Sequence, residues 1–214
     1  RETLGADFIL VNDLNETTEG YGSVASTSAN NGSGFVPGDL YGTFDGNDNT
    51  IANLTIDRPS QDYVGLFGTV GDTVQDLSLV NVNVTGRDFV GGVAGSHGGA
   101  TTIENVFVSG TVTGTSNVGG VVGKNNGRIK NTESATDVSG GVRVGGLVGK
   151  NEDDLVTDSY ATGNVTGSDF VGGLVGLNLQ GTVNRSHATG NVNASNNFVG
   201  GLIGGNSGGS ADRT

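Results

Sequence analysis

Oxygen-bearing side chains stand at alternate positions in one short segment of the chain. Asp45, Asn47 and Asn49 lie in the sequence DGNDN and match the start of a calcium-binding loop. The segment lacks the glycine at the sixth loop position and the closing Glu of such a loop. NEDD at 151–154 is a similar acidic run. We keep Asp45, Asn47 and Asn49 as weak calcium candidates and predict no other cofactor.

Acid–base or nucleophilic catalysis would need histidines or carboxylates in defined groups. The chain has two histidines, His97 and His187, and no HExxH zinc sequence. A Ser-His-Asp arrangement is compatible with the composition, but no nucleophile elbow supports it. Asp62 and Asp88 occupy equivalent positions of successive repeats and form a carboxylate pair, which no further acidic or basic group completes. We therefore predict that the chain is not an enzyme.

The elements that position these side chains follow from a phrase that occurs six times. Its closing glycine returns every 26 to 28 residues. A period of this length is typical of stacked supersecondary units, none of which buries its apolar face without a neighbour. The repeat therefore predicts one elongated domain. The copies are VGLFG at 64–68, VGGVAG at 90–95, VGGVVG at 118–123, VGGLVG at 144–149 and 171–176, and VGGLIG at 199–204.

The residues between the phrases indicate what each repeat buries. Valine, isoleucine and leucine alternate with polar residues over short stretches, which indicates β-strands. Helical spacing does not persist, and the 41 glycines disfavour helices. We predict an all-β, parallel β-solenoid of about six coils, each with about 27 residues and three short strands, wound right-handed by the crossover rule. One apolar column is expected to contain Ile51, Val74, Ile103, Ile129, Val156 and Val183.

Three other columns are expected at corners or on the surface. An Asn/Asp column should cap backbone donors, tolerate left-handed geometry and form side-chain ladders. His187 should lie in an outward stack with Phe107, Glu133 and Tyr160. An aromatic-rich column before each phrase either plugs a corner or faces solvent. The Asn/Asp column is Asn53, Asp76, Asn105, Asn131, Asp158 and Arg185, and the aromatic-rich column is Tyr63, Phe89, Asn117, Arg143, Phe170 and Phe198.

The repeat divides the chain into three parts. Residues 1–50 form an N-terminal lead-in with a polar loop, which covers the open edge of the first coil. Residues 51–204 form the solenoid, and residues 205–214 form a Gly/Ser-rich tail. Either the native protein continues beyond this tail or the last coil abuts another molecule.

Composition excludes several classes of partner and site. The net charge of −12, without a basic stripe, argues against nucleic acid and anionic membranes, and fits a saline setting. The absence of cysteine rules out disulfides and thiolate metal sites. No apolar run is long enough to span a membrane. Seven Asn-x-Ser/Thr sequences fit an exported glycoprotein, and they are Asn15, Asn31, Asn53, Asn83, Asn164, Asn184 and Asn193.

Two long segments relate the chain to a known family. SYATGNVTGSDFVGGLVGLN at 159–178 and SHATGNVNASNNFVGGLIGGN at 186–206 resemble the GLUG-motif repeats of bacterial and archaeal surface proteins. LYGTFDGNDNTIANLTI at 40–56 is similar to the usual opening of such arrays. The resemblance covers residues 35–206. It implies an adhesin, a fibrous surface protein, or the non-catalytic forepart of an immunoglobulin-A-cleaving metallopeptidase, and it supplies no catalytic residue.

These observations lead to one main hypothesis and two alternatives. The main hypothesis is a non-enzymatic, extracellular, structural or adhesive solenoid at a prokaryotic cell surface, able to stack end to end into a fibre. Its expected partners are other copies, other surface proteins or glycans. The first alternative is a carbohydrate-binding or carbohydrate-cleaving β-helix. The second is a non-catalytic repeat region of a larger surface peptidase.

Overall fold

The computed structural model describes residues 2–26 and 29–212. Residues 1, 27, 28, 213 and 214, in the expected lead-in and tail, lie outside that part of the chain. The described strands pair almost entirely in parallel, each with the equivalent strand one turn later. The all-β parallel solenoid predicted from the repeat is therefore confirmed.

The strands are short and closely spaced along the chain. In order they are β1 (Thr3–Leu4), β2 (Phe8–Ile9), β3 (Gly38–Leu40), β4 (Phe44–Asp45), β5 (Thr50–Ala52), β6 (Thr55–Asp57), β7 (Phe67–Val70), β8 (Val74–Thr85), β9 (Asp88–Val90), β10 (Ala94–Thr113), β11 (Ser116–Gly119), β12 (Val122–Lys130), β13 (Glu133–Ser139), β14 (Val142–Gly145), β15 (Val148–Glu152), β16 (Leu155–Thr157), β17 (Tyr160–Ala161), β18 (Val165–Gly167), β19 (Asp169–Gly172), β20 (Val175–Leu179), β21 (Thr182–Asn184), β22 (His187–Ala188), β23 (Val192–Ala194), β24 (Val199–Gly200), β25 (Ile203–Ser207) and β26 (Ser210–Asp212). A helix α1 (Tyr21–Ala25) and a 3-10 turn (Ala29–Gly32) precede β3.

One turn shows how the coil is built. The turn from β15 to β19 contains five strands, where the sequence predicts three. The additional breaks arise because residues in left-handed conformation bend the backbone between strands. Asp153, with φ 58°, separates β15 from β16, and Asp158, with φ 52°, separates β16 from β17. Short polar side chains tolerate this conformation better than most others do.

The apolar column predicted from the repeat is present from Val74 onward. Ile103 pairs with Val74 and with Ile129, which in turn pairs with Val156. Val156 pairs with Val183, and all five side chains are buried. Each turn therefore adds one apolar side chain to a core shared with its neighbours, so the core exists only in the stack.

The prediction is wrong for Ile51. Ile51 pairs with Leu79, and Val74 instead pairs with Phe44. A pairing of Ile51 with Val74 would leave only 23 residues for a full turn, fewer than any other turn of the solenoid uses. The observed pairing allows 28 residues from Ile51 to Leu79. Asn53 consequently lies beside Asn81, whose amide donates to its Oδ1 at 2.6 Å, and not beside Asp76.

Strands of the solenoid occur outside residues 51–204. The strands β1 and β2 pair with β3 and β4 in the segment assigned to the lead-in. At the other end, β26 pairs with β21 in the segment assigned to the tail. Near the N-terminus, the polar loop packs against strand β5. There the hydroxyl of the buried Tyr21 donates to the Ala52 carbonyl at 2.7 Å.

The second glycine of the repeated phrase is required by close packing between turns. A Cβ at Gly173 would lie 2.2 Å from the carbonyl oxygen of Gly201 and 2.8 Å from the Cβ of Ala188. At Gly201, the equivalent position one turn later, nothing lies within 4 Å. The first copy of the phrase is one residue shorter, and its Leu66 lies in register with Val93, so the second glycine has no counterpart there. Glycine is therefore needed only where another backbone passes directly over the corner.

Candidate functional site

One column inside the solenoid is built from polar side chains, and we name it the amide column. It contains His97, Asn125, Asn151, Asn178 and Asn206, which pair in register on the strands that follow the glycine phrases. The first four side chains are fully buried, and Asn206 in the last turn is exposed. Buried amides are costly unless every polar atom has a partner.

The amide column meets this requirement by bonding along the stack. Nδ2 of Asn125 donates to Oδ1 of Asn151 at 2.7 Å, and Nδ2 of Asn151 donates to Oδ1 of Asn178 at 2.9 Å. Nδ2 of Asn178 continues the series to Asn206 at 2.9 Å. Each of these amides also donates to a carbonyl of its own turn, as Asn151 does to Asp154 at 3.0 Å. Each amide thus fixes a corner of its own turn and connects that turn to the next one.

His97 occupies the first rung. Its Nδ1 lies 2.7 Å from Oδ1 of Asn125, and its Nε2 lies 2.9 Å from Oγ1 of Thr101. Because Oδ1 is an acceptor, Nδ1 carries the proton, and Nε2 accepts from the Thr101 hydroxyl in the neutral ring. Burial lowers the pKa of His97 to about 4, against the opposing effect of the Asn125 hydrogen bond. At neutral pH this histidine is therefore an uncharged end cap of the amide column.

Thr101, His97 and Asn125 are connected in the same order as the nucleophile, base and orienting group of a catalytic triad. Thr101 contacts His97 Nε2, and Asn125 holds His97 Nδ1. A general base works best with a pKa close to the operating pH, and a pKa of about 4 makes His97 a weak proton acceptor. The Thr101 hydroxyl also lies 3.0 Å from the Gly98 carbonyl. The arrangement is better explained by hydrogen-bond satisfaction than by catalysis.

Small hydroxyl side chains form a second buried series. Oγ of Ser159 accepts from the backbone N–H of Thr132 at 3.1 Å, and Oγ of Ser186 accepts from that of Ser159 at 3.2 Å. Ser134 and Thr136 are also buried and contact each other at 2.6 Å. The interior of the later turns is therefore more polar than that of the earlier ones.

The Asn/Asp column is a surface ladder of left-handed residues, as predicted. Nδ2 of Asn131 donates to Asn105 at 2.7 Å, and Nδ2 of Asn105 donates to Asp76 at 2.8 Å. Further along, the guanidinium of Arg185 binds both oxygens of Asp158. All these residues have φ between 42° and 54°. The column closes a corner in every turn from β8 onward.

The aromatic-rich column also lies at a left-handed corner. Tyr63 stacks on Phe89 with ring centroids 4.7 Å apart, and Phe170 stacks on Phe198 at 4.5 Å. Tyr63 is 38% exposed and Phe198 58% exposed, so these rings are not enclosed plugs. Between the two pairs lie Asn117 and Arg143, whose Oδ1 and Nε are buried without a hydrogen bond.

The outward stack around His187 is present as predicted. Phe107 pairs with Glu133, which pairs with Tyr160, which pairs with His187. The Tyr160 and His187 rings are parallel, with centroids 5.0 Å apart. The Tyr160 hydroxyl donates to Glu133 at 2.5 Å, and this hydrogen bond raises the pKa of Tyr160.

The calcium candidates form a hydrogen-bonded turn. Oδ1 of Asp45 accepts from the backbone N–H of Asn47 at 2.7 Å. The amide nitrogen of Asn49 points inward and donates to the Leu10 carbonyl at 2.7 Å and the Gly46 carbonyl at 3.1 Å. Within residues 2–26 and 29–212, no group of three His, Cys, Asp or Glu side chains gathers closely enough to hold a metal ion.

Two residues of the NEDD segment at 151–154 also make contacts within the solenoid. Asn151 is a rung of the amide column, and Glu152 binds Lys124 at 2.8 Å and contacts Lys150. Burial raises the pKa of Glu152, but the hydrogen bonds from Lys124 and Lys150 outweigh it and hold the pKa at about 2. Lys124 and Lys150 are neighbours in register, so the carboxylate of Glu152 bridges two stacked cations and reduces their mutual repulsion.

The carboxylate pair has a basic partner that sequence reasoning missed. Arg87 donates through Nε and Nη2 to the two oxygens of Asp62. Asp88 contributes its backbone N–H to Asp62 at 3.3 Å. A carboxylate held by a bidentate guanidinium is a poor nucleophile or base, since the bond favours its ionised, paired form. The pair therefore fits a surface ion pair rather than a catalytic dyad.

The glycosylation candidates differ in exposure. Asn31, Asn83, Asn164 and Asn193 are exposed, whereas Asn15, Asn53 and Asn184 are half-buried. Asn53 bonds to Glu16 and Asn81, and Oδ1 of Asn184 is buried. A glycan on Asn53 or Asn184 would displace packed neighbours. Glycosylation of the four exposed residues remains a prediction.

The amide column is the feature that sequence analysis did not identify. Its signal is the Asn two residues after the closing glycine of the phrase, at Asn125, Asn151, Asn178 and Asn206. An Asn beside glycine is usually a turn residue on the surface. Only its recurrence in register with buried apolar positions could have indicated an interior location.

Comparisons with known proteins agree with this architecture. The GLUG motif matches residues 140–166 and 171–193. Halomucin from Haloquadratum walsbyi is 41% identical over 93 residues, which represent 40% of this chain and 1% of that protein. A crystal structure from Bacteroides ovatus, described as that of an immunoglobulin A1 protease candidate, has a TM-score of 0.66 at 22% identity. It covers 98% of this chain and 67% of that one.

The fold and the repeated columns define a parallel β-solenoid whose turns are held together by side-chain ladders. Residues 140–166 and 171–193 carry the GLUG motif, as the recurring phrase predicted. The likeness to the Bacteroides ovatus structure supports the fold alone, because the identity is 22%. The chain spans only about 1% of the length of halomucin, so the role of that whole protein is not transferred to it.

Proposed function

We propose that this chain is a non-enzymatic, extracellular structural module of a prokaryotic cell-surface protein. In this role the solenoid is a stiff shaft that sets the distance between the parts of a larger assembly. Adhesion through its outward faces is the finer form of the same proposal. The proposed partners are other copies of the chain, other surface proteins and glycans, without nucleic acid or membrane insertion.

The observation that carries this proposal is the use of polar side chains for contacts between turns. The groups that enzymes use for chemistry, such as His97, Glu152 and Asp62, are each held by a neighbouring turn. The buried amides bond in one continuous direction along the stack. Side chains fixed in this way resist shear between turns, since any slip would leave several buried groups without partners.

Two observations support an extracellular location. The GLUG motif and the similarity to halomucin fit a surface protein. Four exposed acceptor sequences are compatible with export and glycosylation. The chain has no cysteine, so its stability does not depend on the redox state of its surroundings. No helix among the described residues is long and apolar enough to cross a membrane.

Fibre formation by end-to-end stacking depends on how the two end turns match. Phe8 and Ile9 are exposed at one end, and Phe198 and Val199 at the other. At the register position of the amide column, however, the first turn contains Leu4 and the last turn contains Asn206. An in-register contact would place the Asn206 amide against an apolar side chain and cost free energy. We therefore propose the single shaft as the main form and the fibre as its second form.

Two measurements test the proposal together. Protease treatment of intact source cells, followed by mass spectrometry of released peptides, should yield peptides of this chain before any cytosolic marker. Electron microscopy of the native material should show shafts of one solenoid width. Recovery of the chain only after lysis would overturn the extracellular location, and continuous filaments with a one-subunit repeat would favour the fibre.

The carbohydrate-cleaving alternative is tested separately. Purified chain should leave acidic polysaccharides at their original length in a viscosity assay. Depolymerisation that disappears in Asp62→Ala or Asp88→Ala would contradict the non-enzymatic role. Glu104→Ala, which removes a carboxylate from the adjacent turn, is a matched control because the Glu104 carboxylate forms a surface ion pair with Lys130.

A further inference from the structure

We propose that the outward face of the solenoid carries a binding site for an organic cation, between Phe107 and Tyr160 and against the carboxylate of Glu133. This inference is independent of the structural role, because the side chains concerned point away from the core. The chemical class is an alkylammonium or guanidinium group, free or on the side chain of a partner protein.

The site is a gap in a column of rings. Phe107, Glu133 and Tyr160 are successive members of one register column. Adjacent parallel strands lie about 4.8 Å apart, so the two aromatic positions are separated by about 10 Å. A cation interacts with an aromatic face when it lies within about 6 Å of the ring centroid. Glu133 occupies the position between the two rings, so a cation bound beside its carboxylate lies within about one strand spacing of each aromatic position.

A pocket is present at this gap. Its volume is about 260 Å³, and its lining includes Phe107, Tyr160 and Glu133 together with Ser78, Asn105 and Asn131. Both rings are half-buried and Glu133 is half-buried beside them. The volume is below the range of drug-sized pockets, which indicates a guest of a few heavy atoms. A small ammonium group or the end of one side chain fits this size.

A hydrogen bond restrains the carboxylate of Glu133, which lines the pocket. Its Oε2 accepts from the Tyr160 hydroxyl at 2.5 Å. The amides of Asn105 and Asn131 are held in the surface ladder by bonds to Asp76 and to each other. The site is therefore preorganised on strands, with little side-chain freedom left to lose on binding.

The charges around the pocket favour a cation over an anion. No lysine or arginine is among the described residues that line it. The nearest basic groups of the neighbouring columns are already paired, Lys130 with Glu104 and Arg185 with Asp158. The net charge of −12 adds a negative field that steers cations toward the surface. A neutral sugar would use the rings and amides but would gain little from this field.

An NMR titration of the whole chain with choline chloride tests the site. Sodium chloride at equal ionic strength is the control for screening, and 3,3-dimethyl-1-butanol is a neutral molecule of the same shape. We expect saturable shifts of the Phe107 and Tyr160 ring signals with choline, at millimolar concentration, and at least fivefold weaker binding of the neutral molecule. Equal binding of the two would overturn the proposal.

Variants locate the site. Glu133→Gln should weaken choline binding about tenfold, and Phe107→Leu or Tyr160→Leu should weaken it about two- to tenfold. Glu104→Gln and Tyr41→Leu are matched controls outside the pocket and should leave binding unchanged. Circular dichroism should show all five variants folded, since each altered side chain is half-buried or exposed. Binding unaffected by Glu133→Gln contradicts the assignment.

A second titration distinguishes the two sources of the cation. The probes are the N-acetyl amides of arginine and lysine, which represent side chains of a partner protein. Binding of these amides at the same ring signals supports a protein partner, and binding of choline alone supports a free small cation. Binding of methyl glucoside at the same signals, with no response to any of the cations, would replace the proposal by a sugar site.

Discussion

The same register column has opposite chemistry in the two halves of the solenoid. In the first turns it contains Leu4, Leu40 and Val70, which pair in sequence with one another. Val70 then pairs with His97, and from that point the column consists of polar side chains, which are buried as far as Asn178. Both halves follow the same backbone path, so the fold permits either solution at this position.

The difference shows that two kinds of contact hold the turns together. An apolar rung contributes by burial and packing, which is non-directional and tolerates a change of shape at modest cost. An amide rung contributes through bonds to the turns on both sides, and its removal leaves their polar groups buried without partners. The polar half is therefore more specific in register, because a slipped pairing would break several hydrogen bonds simultaneously.

Replacement of a central amide should have the largest effect. Asn151→Leu removes the acceptor of Asn125, the donor to Asn178 and the donor to the Asp154 carbonyl. At about 1–3 kcal/mol for each of the three buried groups left unsatisfied, we expect a loss of at least about 3 kcal/mol in the free energy of unfolding. Urea denaturation followed by circular dichroism measures it.

The matched control is the exposed end of the same column. Asn206→Leu removes one acceptor from Asn178 in a turn that water reaches, so the loss should stay below about 1 kcal/mol. Equal losses for Asn151→Leu and Asn206→Leu would show that the amide column contributes little beyond packing, and the contrast between the two halves would fail.

The sequence specified the solenoid architecture more completely than it specified the amide column. The period and the alternation of valine with polar residues located the apolar column from Val74 to Val183, because strand pairing repeats at a constant separation. The register predicted for Ile51 is wrong, because the turn between Phe44 and Val74 is longer than the repeat. The segments that begin at Ile51 and Val74 are similar in sequence, and this similarity suggested a pairing that the chain is too short to make. The pairing of Asp62 with Arg87 depends on the fold bringing side chains from successive turns together.

Acidification should weaken the polar half through His97. Its pKa in the native state is about 4, below the usual value of about 6.5 that applies when the chain is unfolded. Above pH 6.5 both states hold a neutral ring and stability is complete. Between pH 6.5 and 4 only the unfolded state binds the proton, so stability falls by about 3 kcal/mol and then levels off. Urea midpoints at pH 7.5 and 4.5 measure this change.

The control for this prediction is His97→Asn. The variant keeps an amide at the first rung and removes the group that titrates. Other carboxylates contribute to acid sensitivity in both proteins, so the relevant quantity is the difference between the two pH profiles. Identical profiles of the variant and the original chain would mean that His97 is not the acid-sensitive link.

Close backbone packing provides a third comparison. Gly173→Ala would bring a Cβ to 2.2 Å from the Gly201 carbonyl oxygen, whereas Gly201→Ala meets nothing within 4 Å. We expect Gly173→Ala to lower the free energy of unfolding by about 1–3 kcal/mol or more, as overpacking does. The Gly201→Ala change should be neutral. Thermal unfolding of both variants gives the measurement, and equal effects would contradict the role of the overlying turn.

The smallest effect is expected at the surface, where solvent screens the contacts between turns. Arg185→Gln removes the two bonds to Asp158 and the one to Thr157. The urea midpoint should not shift measurably, because exposed ion pairs contribute little to stability. The hydrogen bond from Arg185 lowers the pKa of Asp158, so in the variant this pKa should rise toward its ordinary value in an NMR titration. A large loss of stability without a change in this pKa would indicate that the surface ladder holds the turns together by backbone geometry, and that the interior is not the main source of cohesion.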